Sequence, residues 1–363
     1  MKILPMNLEF KPLPDLQVGP NRWIGDNHPC LVVAEVGQNH NGDVALAREL
    51  IDNIAFHKAD AVKFCKRDIP SEMTRQMYDQ PYLGPQSFGE TYGKHREFLE
   101  LSKSQYKQLK SYAEGKGLIF FATACAQQSV NDLEEVGVSL YKVASRDLTN
   151  LPLLEYIAQT FKPVILSCGM DSMAEIKEAV DAVRRYHSKI VLMQCTSGYP
   201  TPEDQVNIRV MHTLRREFDV LVGMSDHTIG VMVPVVAAAL GACAVEKHVT
   251  MARYLKGTDH ACSLEPEGLR RVVRDIRNLE KAIGDGVKSV PQTVADTKAK
   301  LSRSLVSACD IPQGTVLTEV MLCLKSPGTG LPWRDRTRIL GRKARRPVAA
   351  DITLSYEDFD PIS

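Results

Sequence analysis

The chain has 363 residues, 44% of them hydrophobic and 25% charged, enough for one large core plus a small second domain. Forty-five basic and forty-four acidic side chains leave a formal net charge of +1, so no global field recruits nucleic acid or an anionic membrane and any anion must be met by local cations. The nine cysteines are odd in number and scattered without a C-x-x-C pair, which argues against a disulfide framework or zinc knuckle and fits a reducing cytoplasm.

Residues 1–16 mix apolar residues with Pro, Glu, Lys and Asp and contain no uninterrupted hydrophobic region, so no signal peptide is expected. From residue 30 onward, short β-branched runs alternate with longer helical patterns. Strands are predicted at 30–34, 61–64, 118–122, 140–143, 163–166, 190–193, 220–224 and 243–245. Between them, segments such as 44–54, 105–115, 173–186 and 267–283 repeat apolar residues at helical spacing. The longest apolar tract, 231–245, is broken by Pro234 and Gly241 and is too short for the about 20 residues of a membrane span, so a core helix and strand are expected there. Eight βα units predict a closed α/β barrel, the (β/α)8 or TIM fold, with a doubly wound open sheet as the alternative.

The residues at the strand ends are more telling. In order, they are Glu35, Lys63, Thr123, Lys142 with Ser145, Ser167, Thr196 with Ser197, Ser225 with His227, and Glu246 with His248. Buried without partners, such groups would cost several kcal/mol each, whereas a barrel of this class gathers its reaction site at the C-terminal rim. The apolar segment between His227 and His248 reads as a crossover helix, which makes their two strands parallel neighbours and places both imidazoles on one rim. Lone histidines are more often core or surface residues, but a pair so placed suits a divalent metal and leaves positions open for substrate. Lys63 and Lys142, with the hydroxyls of Thr123, Ser145, Ser167 and Ser225, suit a phosphate and a carboxylate. Glu35 and Glu246 are candidates for orienting water or moving a proton; the structural alternative is a salt bridge to Lys63 or Lys142. His40, His95 and His260 read as hydrogen-bonding or surface residues.

The segment 66–104 is long for a loop in a compact domain and suggests a lid or dimer contact with short helices of its own. The chain therefore divides into an N-terminal extension (1–29), a barrel (30–284), a linker (285–300) and a second domain (301–363). The last is too small to hold a generous core and is expected to lean on the barrel or on a partner subunit.

The runs AEVGQNHNG (34–42), AVKF (61–64), YKVAS (141–145), LSCGM (166–170), QCTSGYP (194–200), SDHT (225–228), EKH (246–248) and KGTDH (256–260) resemble the sialic acid synthase family. The tail resembles that family's antifreeze-like (SAF) domain. This resemblance implies condensation of phosphoenolpyruvate with a hexose derivative, giving a nine-carbon 2-keto-3-deoxy acid and phosphate. It implies that Lys63, Thr123, Lys142, Ser145, Ser167, Ser197 and Ser225 hold phosphoenolpyruvate. By the same likeness His227 and His248 hold manganese or magnesium, Glu35 orients the reactive groups or water, and Asp147, Tyr199, Glu246 and Asp259 face the sugar. A domain-swapped homodimer is implied as well.

Three positions depart from the pattern. Bacterial members usually carry glutamine where Cys65 stands, glycine where Arg146 stands, and arginine where Ser326 stands. Arg146 could meet a sugar phosphate or pair with Asp147. These departures point to an acceptor other than plain N-acetylmannosamine: a hexose without the N-acyl group, a differently modified amino sugar, or a 6-phosphate. Sister synthases making seven- or eight-carbon acids lack the tail. A non-catalytic carbohydrate-binding protein would not need the intact lysines and histidines.

Overall fold

The computed structural model describes residues 10–361; residues 1–9, in the predicted N-terminal extension, and 362–363 lie outside it. The first described strands, β1 (Leu16–Gly19) and β2 (Arg22–Ile24), form an antiparallel hairpin that the expected N-terminal extension did not include. Leu16, Val18 and Ile24 are buried in the same apolar cluster as the barrel. The Ser139 hydroxyl donates to the Val18 carbonyl (2.7 Å), tying the hairpin to the segment ahead of a barrel strand.

Eight parallel strands then close on themselves: β3 (Leu31–Gly37), β4 (Ala61–Lys66), β5 (Ile119–Ala124), β6 (Tyr141–Val143), β7 (Val164–Ser167), β8 (Ile190–Gln194), β9 (Leu221–Asp226) and β10 (Ala244–His248), with β10 pairing back onto β3. Each matches an apolar run in the sequence because strands covered on both faces read as continuous hydrophobic segments. Several run further than those runs. Glu35, Glu246 and His248 belong to the ladder itself, with His248 opposite Glu35 and Glu246 opposite Ser225.

Helices cover the outside. Asp43 caps helix Val44–Phe56 by accepting from the Ala45 amide, and Ser102 with Gln105 and Ser172 with Glu175 form capping boxes that start Lys103–Gly115 and Met173–Arg184; each satisfies donors a helix start leaves unpaired. The tract after His227 forms helix Met232–Ala239, the crossover between β9 and β10. The long segment after β4 carries short helices at Ile69–Glu72, Arg75–Tyr78 and Tyr92–Leu99.

A second compact unit spans Asp285–Ser363. Helix Ala295–Leu301, within the expected linker and ending at its boundary, belongs to it: the Gly328 amide donates to the Ala299 carbonyl (2.7 Å) and the Ser326 hydroxyl to that of Leu301 (3.1 Å). Strands β11 (Ser304–Ser307) and β12 (Leu322–Lys325) pair antiparallel. Leu305, Ile311, Leu317, Ile339, Leu354 and Phe359 are among the residues of a core of its own. Among the described residues no helix is long and apolar enough to cross a membrane.

Candidate functional site

Alternation along parallel strands sends every second side chain inward, so the last inward residues of the barrel meet at its C-terminal end. A cavity of about 410 Å³ opens there. Of the side chains singled out in the sequence, Glu35, Lys63, Thr123, Lys142, Ser145 and Ser167 line it from the first five barrel strands and their ends. Ser197, Tyr199, Ser225, His227, Glu246, His248 and Asp259 line it from the remainder.

Two buried lysines organise the floor. Lys63 Nζ lies 3.0 Å from Glu35 Oε2 and 3.4 Å from Glu246 Oε1, and donates to Thr123 Oγ1 at 3.0 Å. Lys142 Nζ donates to Ser167 Oγ at 2.6 Å and stands 3.6 Å from Glu246 Oε1, which also accepts from Ser225 Oγ at 3.1 Å. The two glutamates are thus paired with the lysines and also face the cavity. Their proton affinities part. Burial pushes the Glu35 carboxyl up to about 8 against the pull of Lys63. Burial acts on Glu246 too, but Lys142 and Lys63 outweigh it and hold that carboxyl at about 2. Burial lowers the affinity of the Lys142 amine, whereas at Lys63 Glu246 and Glu35 overcome burial and raise it. Two carboxyls pushed apart in this way are what a site needs to keep one proton donor beside one fixed anion.

Beside Lys142 lies a hydroxyl cradle. The Gly169 amide donates to Ser145 Oγ at 2.8 Å. A Cβ added at Gly169 would come within 2.6 Å of Ser197 Oγ and 3.0 Å of both Ser145 Oγ and Cys195 Sγ, so only glycine lets the backbone approach here.

The two histidines face one another across the rim with ring centroids 5.4 Å apart. His227 Nδ1 lies 3.0 Å from the Thr196 carbonyl; donating there leaves its Nε2 lone pair free. Among the described residues, His248 Nδ1 and Glu246 Oε2 are buried with no hydrogen-bond partner. Burial lowers both imidazoles, His227 to about 4 with His248 adding to the effect, so both are neutral at physiological pH. This donor set fits a divalent ion held by two imidazoles. No cluster of three or more His, Cys, Asp or Glu suited to a metal occurs among the described residues, so water and substrate would complete the coordination. The Tyr199 ring packs 4.1 Å from that of His227. Asp259 accepts from the Thr258 hydroxyl at 2.9 Å, and although burial opposes it, His248, Thr258 and Arg96 hold its carboxyl below the usual range.

Asp147 is a correction. It does not reach this cavity but lines an adjoining one of about 510 Å³ and accepts from Arg146 Nε at 3.2 Å. It shares the 3₁₀ turn Ser145–Asp147, and residues two apart on so tight a turn point in different directions: Ser145 faces in, Asp147 away. Arg146 lines both cavities, as does Arg67, and both guanidinium groups reach Glu72, at 3.4 and 2.6 Å. Arg67, Gln38, Arg96 and Thr258 also line the main cavity and were missed. Arg67 could have been found by the strand-end argument, since it directly follows β4; Arg96 could not, because it arrives on the helix Tyr92–Leu99. His40 and His95 are buried and accept from the Gly42 and Phe88 amides at 3.1 Å each, and buried His260 pairs with Thr250 Oγ1 at 2.7 Å.

Comparison with known proteins agrees with this geometry. Residues 50–288 match the NeuB family and residues 302–360 the SAF domain. The human N-acetylneuraminate-9-phosphate synthase is 37% identical over 95% of this chain and 97% of its own length. The N,N'-diacetyllegionaminic acid synthase of Legionella pneumophila is 35% identical over 94% of this chain and all of its own. The crystal structure of an N-acetylneuraminic acid (sialic acid) synthetase from Leptospira borgpetersenii superposes with a TM-score of 0.69 at 33% identity, covering 80% of this chain and 96% of that one. With a matching family model over most of the barrel, a SAF domain following it in the sequence and relatives matched along nearly their whole length, this chain belongs to the NeuB family of sialic acid synthase-type transferases.

Proposed function

We propose that this protein condenses phosphoenolpyruvate with the open-chain aldehyde of a hexose derivative, releasing a nine-carbon 2-keto-3-deoxy acid and phosphate. The observation that carries the reading is the junction of the Lys63 and Lys142 floor and its hydroxyl cradle with the facing pair His227 and His248 in one cavity. Lys63, Lys142 and the hydroxyls of Thr123, Ser145, Ser167, Ser197 and Ser225 bind the phosphate and carboxylate of phosphoenolpyruvate. The chemistry a manganese or magnesium ion supplies when held by His227 and His248 is Lewis-acid polarisation of a carbonyl oxygen.

C3 of phosphoenolpyruvate forms a bond to the aldehyde carbon, and its C2 becomes cation-like. Glu246, ionised between the two lysines, stabilises that charge. Water adds to C2, and the resulting tetrahedral centre expels phosphate by cleavage of its C–O bond. Glu35, whose carboxyl holds its proton to about pH 8, exchanges a proton with the new hydroxyl or with the water. Tyr199 and Asp259 orient the sugar. The implied homodimer remains part of this reading, checked by the mass of the native protein in solution.

The acceptor is proposed to differ from plain N-acetylmannosamine. Supporting this are Cys65 and Arg146, two of the three departures from the bacterial pattern, which both line the cavity. Phosphate release from phosphoenolpyruvate with mannose, N-acetylmannosamine and their 6-phosphates, with and without chelator, tests the function and the acceptor together. Preference for unphosphorylated N-acetylmannosamine would overturn the acceptor reading, and no release with these sugars or with a differently modified amino sugar would overturn the synthase.

A further inference from the structure

Two neighbouring thiols at the rim, Cys65 half-buried and Cys125 buried, take no part in the bond-making steps above. Cys65 lies two residues beyond Lys63 on β4, and Cys125 lies two beyond Thr123 at the end of β5. The alternation that brings Lys63 Nζ to Thr123 Oγ1 at 3.0 Å brings the next inward pair, the two sulfurs, to 3.3 Å. Cys65 faces the main cavity and Cys125 the adjoining one, so each thiol can be reached by a small solute. Arg67 and Arg146 line both cavities beside them.

This setting differs from that of the other cysteines. A hydrogen bond from the Cys125 thiol, with the charges of Arg67 and Arg146, outweighs burial and holds the Cys65 thiol well below its ordinary range. Burial pushes Cys168, Cys243 and Cys262 up to about 12, and Cys195 is raised as well. A reactive cysteine is one kept as thiolate by nearby cations and open to its reagent, with a resolving thiol beside it.

We infer that Cys65 and Cys125 form an oxidation site, a dithiol that peroxides convert to an intramolecular disulfide, and that the bridge suppresses turnover in the main cavity. The inhibition rests on the synthase reading; the oxidation does not. The Cys65 thiolate attacks one oxygen of hydrogen peroxide, the O–O bond breaks, and the departing hydroxide takes up a proton to become water. The Cys65 sulfenic acid is then attacked by the Cys125 sulfur, its S–O bond breaks, and that hydroxide leaves as water with the Cys125 proton. Two thiols have lost two electrons to one peroxide, giving one disulfide and two waters. To bond, the sulfurs must close from 3.3 Å to about 2.05 Å. That draws together the strand ends carrying Lys63 and Thr123 and withdraws the Cys65 negative charge from Arg67 and Arg146.

The test uses the full chain, reduced and then exposed to graded hydrogen peroxide, with differential alkylation and mass spectrometry. The linked peptides containing Cys65 and Cys125 should form before Cys168, Cys195, Cys243 or Cys262 is modified, and dithiothreitol should separate them. Phosphate release should fall about ten- to a hundredfold as the link forms, the scale of a displacement near 1 Å at a reacting centre, and should return on reduction. Cys125→Ser and Cys125→Ala should form no link and keep a larger fraction of their own activity after peroxide. Cys309→Ser, which removes the exposed thiol, should still form it. The proposal is overturned if Cys65 and Cys125 stay open to alkylation while other thiols oxidise, or if the linked protein turns over as fast as the reduced one. Should no sugar support phosphate release, the alkylation result still decides the oxidation site, and only the synthase reading has failed.

Discussion

Lys63 and Glu35 sit opposite one another on β4 and β3, with Lys63 Nζ 3.0 Å from Glu35 Oε2 and both side chains almost wholly enclosed. Lys63 is also close to Glu246, so a single ammonium serves two carboxyls and the incoming anion. Replacing it by Met removes charge-assisted contacts of the order of 1.5–3 kcal/mol. Lys63→Met should raise the KM for phosphoenolpyruvate about tenfold or more and that for the sugar far less. Equal effects on both substrates would contradict the proposed division of the cavity.

Glu35 should set the alkaline limb of the pH profile. Its folded affinity is raised to about 8, so the carboxyl is protonated below that pH and ionised above it. If the protonated form works, kcat/KM falls as pH rises through about 8. Glu35→Gln should lower the rate and erase that limb; a limb that persists unchanged in the variant would assign it to another group.

Gly169 offers a test of the cradle that leaves every charge in place. A methyl there meets Ser197 Oγ, Ser145 Oγ and Cys195 Sγ at 3.0 Å or less, and displacing those side chains disturbs the anion site rather than the core. Gly169→Ala should weaken phosphoenolpyruvate binding about tenfold while thermal unfolding shifts little, since overpacking on the scale of 1–3 kcal/mol is confined to the cavity wall. Binding unchanged by calorimetry would remove the hydroxyls from the site.

His227→Ala and His248→Ala should each abolish turnover and weaken manganese binding measured by paramagnetic titration, with circular dichroism and melting close to those of the parent. Excess chelator should reproduce the kinetic effect. Full activity in chelator or in either variant would refute the metal assignment.

Acid stability should report on His40. Burial lowers its affinity from the ordinary 6.5 to about 4, so in the folded protein it stays neutral while the unfolded chain takes up a proton. Above 6.5 both states are neutral and nothing is gained. As pH falls from 6.5 toward 4, stability drops by about 3 kcal/mol and then levels. His40→Gln should flatten that slope in urea titrations at successive pH values; an identical slope would place the effect on the other buried histidines.

Much of the barrel and its rim was legible because a parallel strand enclosed on both sides must be an apolar run, and a polar group at its end must find a use or a partner. His227 and His248 could be paired from sequence alone: a helix between parallel strands crosses over with one hand, so the strands before and after it are neighbours. The sequence did not show where the strands stop. Glu246 and His248 read as loop residues, yet they remain in the ladder because backbone pairing continues after the interior has turned polar. The hairpin at Leu16–Ile24 escaped notice although Leu16, Val18 and Ile24 flank a turn at Pro20.

What the sequence by itself determined was the set of elements and the chemistry at their ends, because hydrophobic period and strand-end polarity are local properties. Only the tertiary structure decided which side chains meet. Glu246 reaches both lysines, Asp147 turns away from Ser145, Arg96 enters from a distant helix, and Cys65 finds Cys125 sixty residues on. Such meetings depend on strand register and on side-chain reach across several strands, and those distances exist only once the barrel has closed.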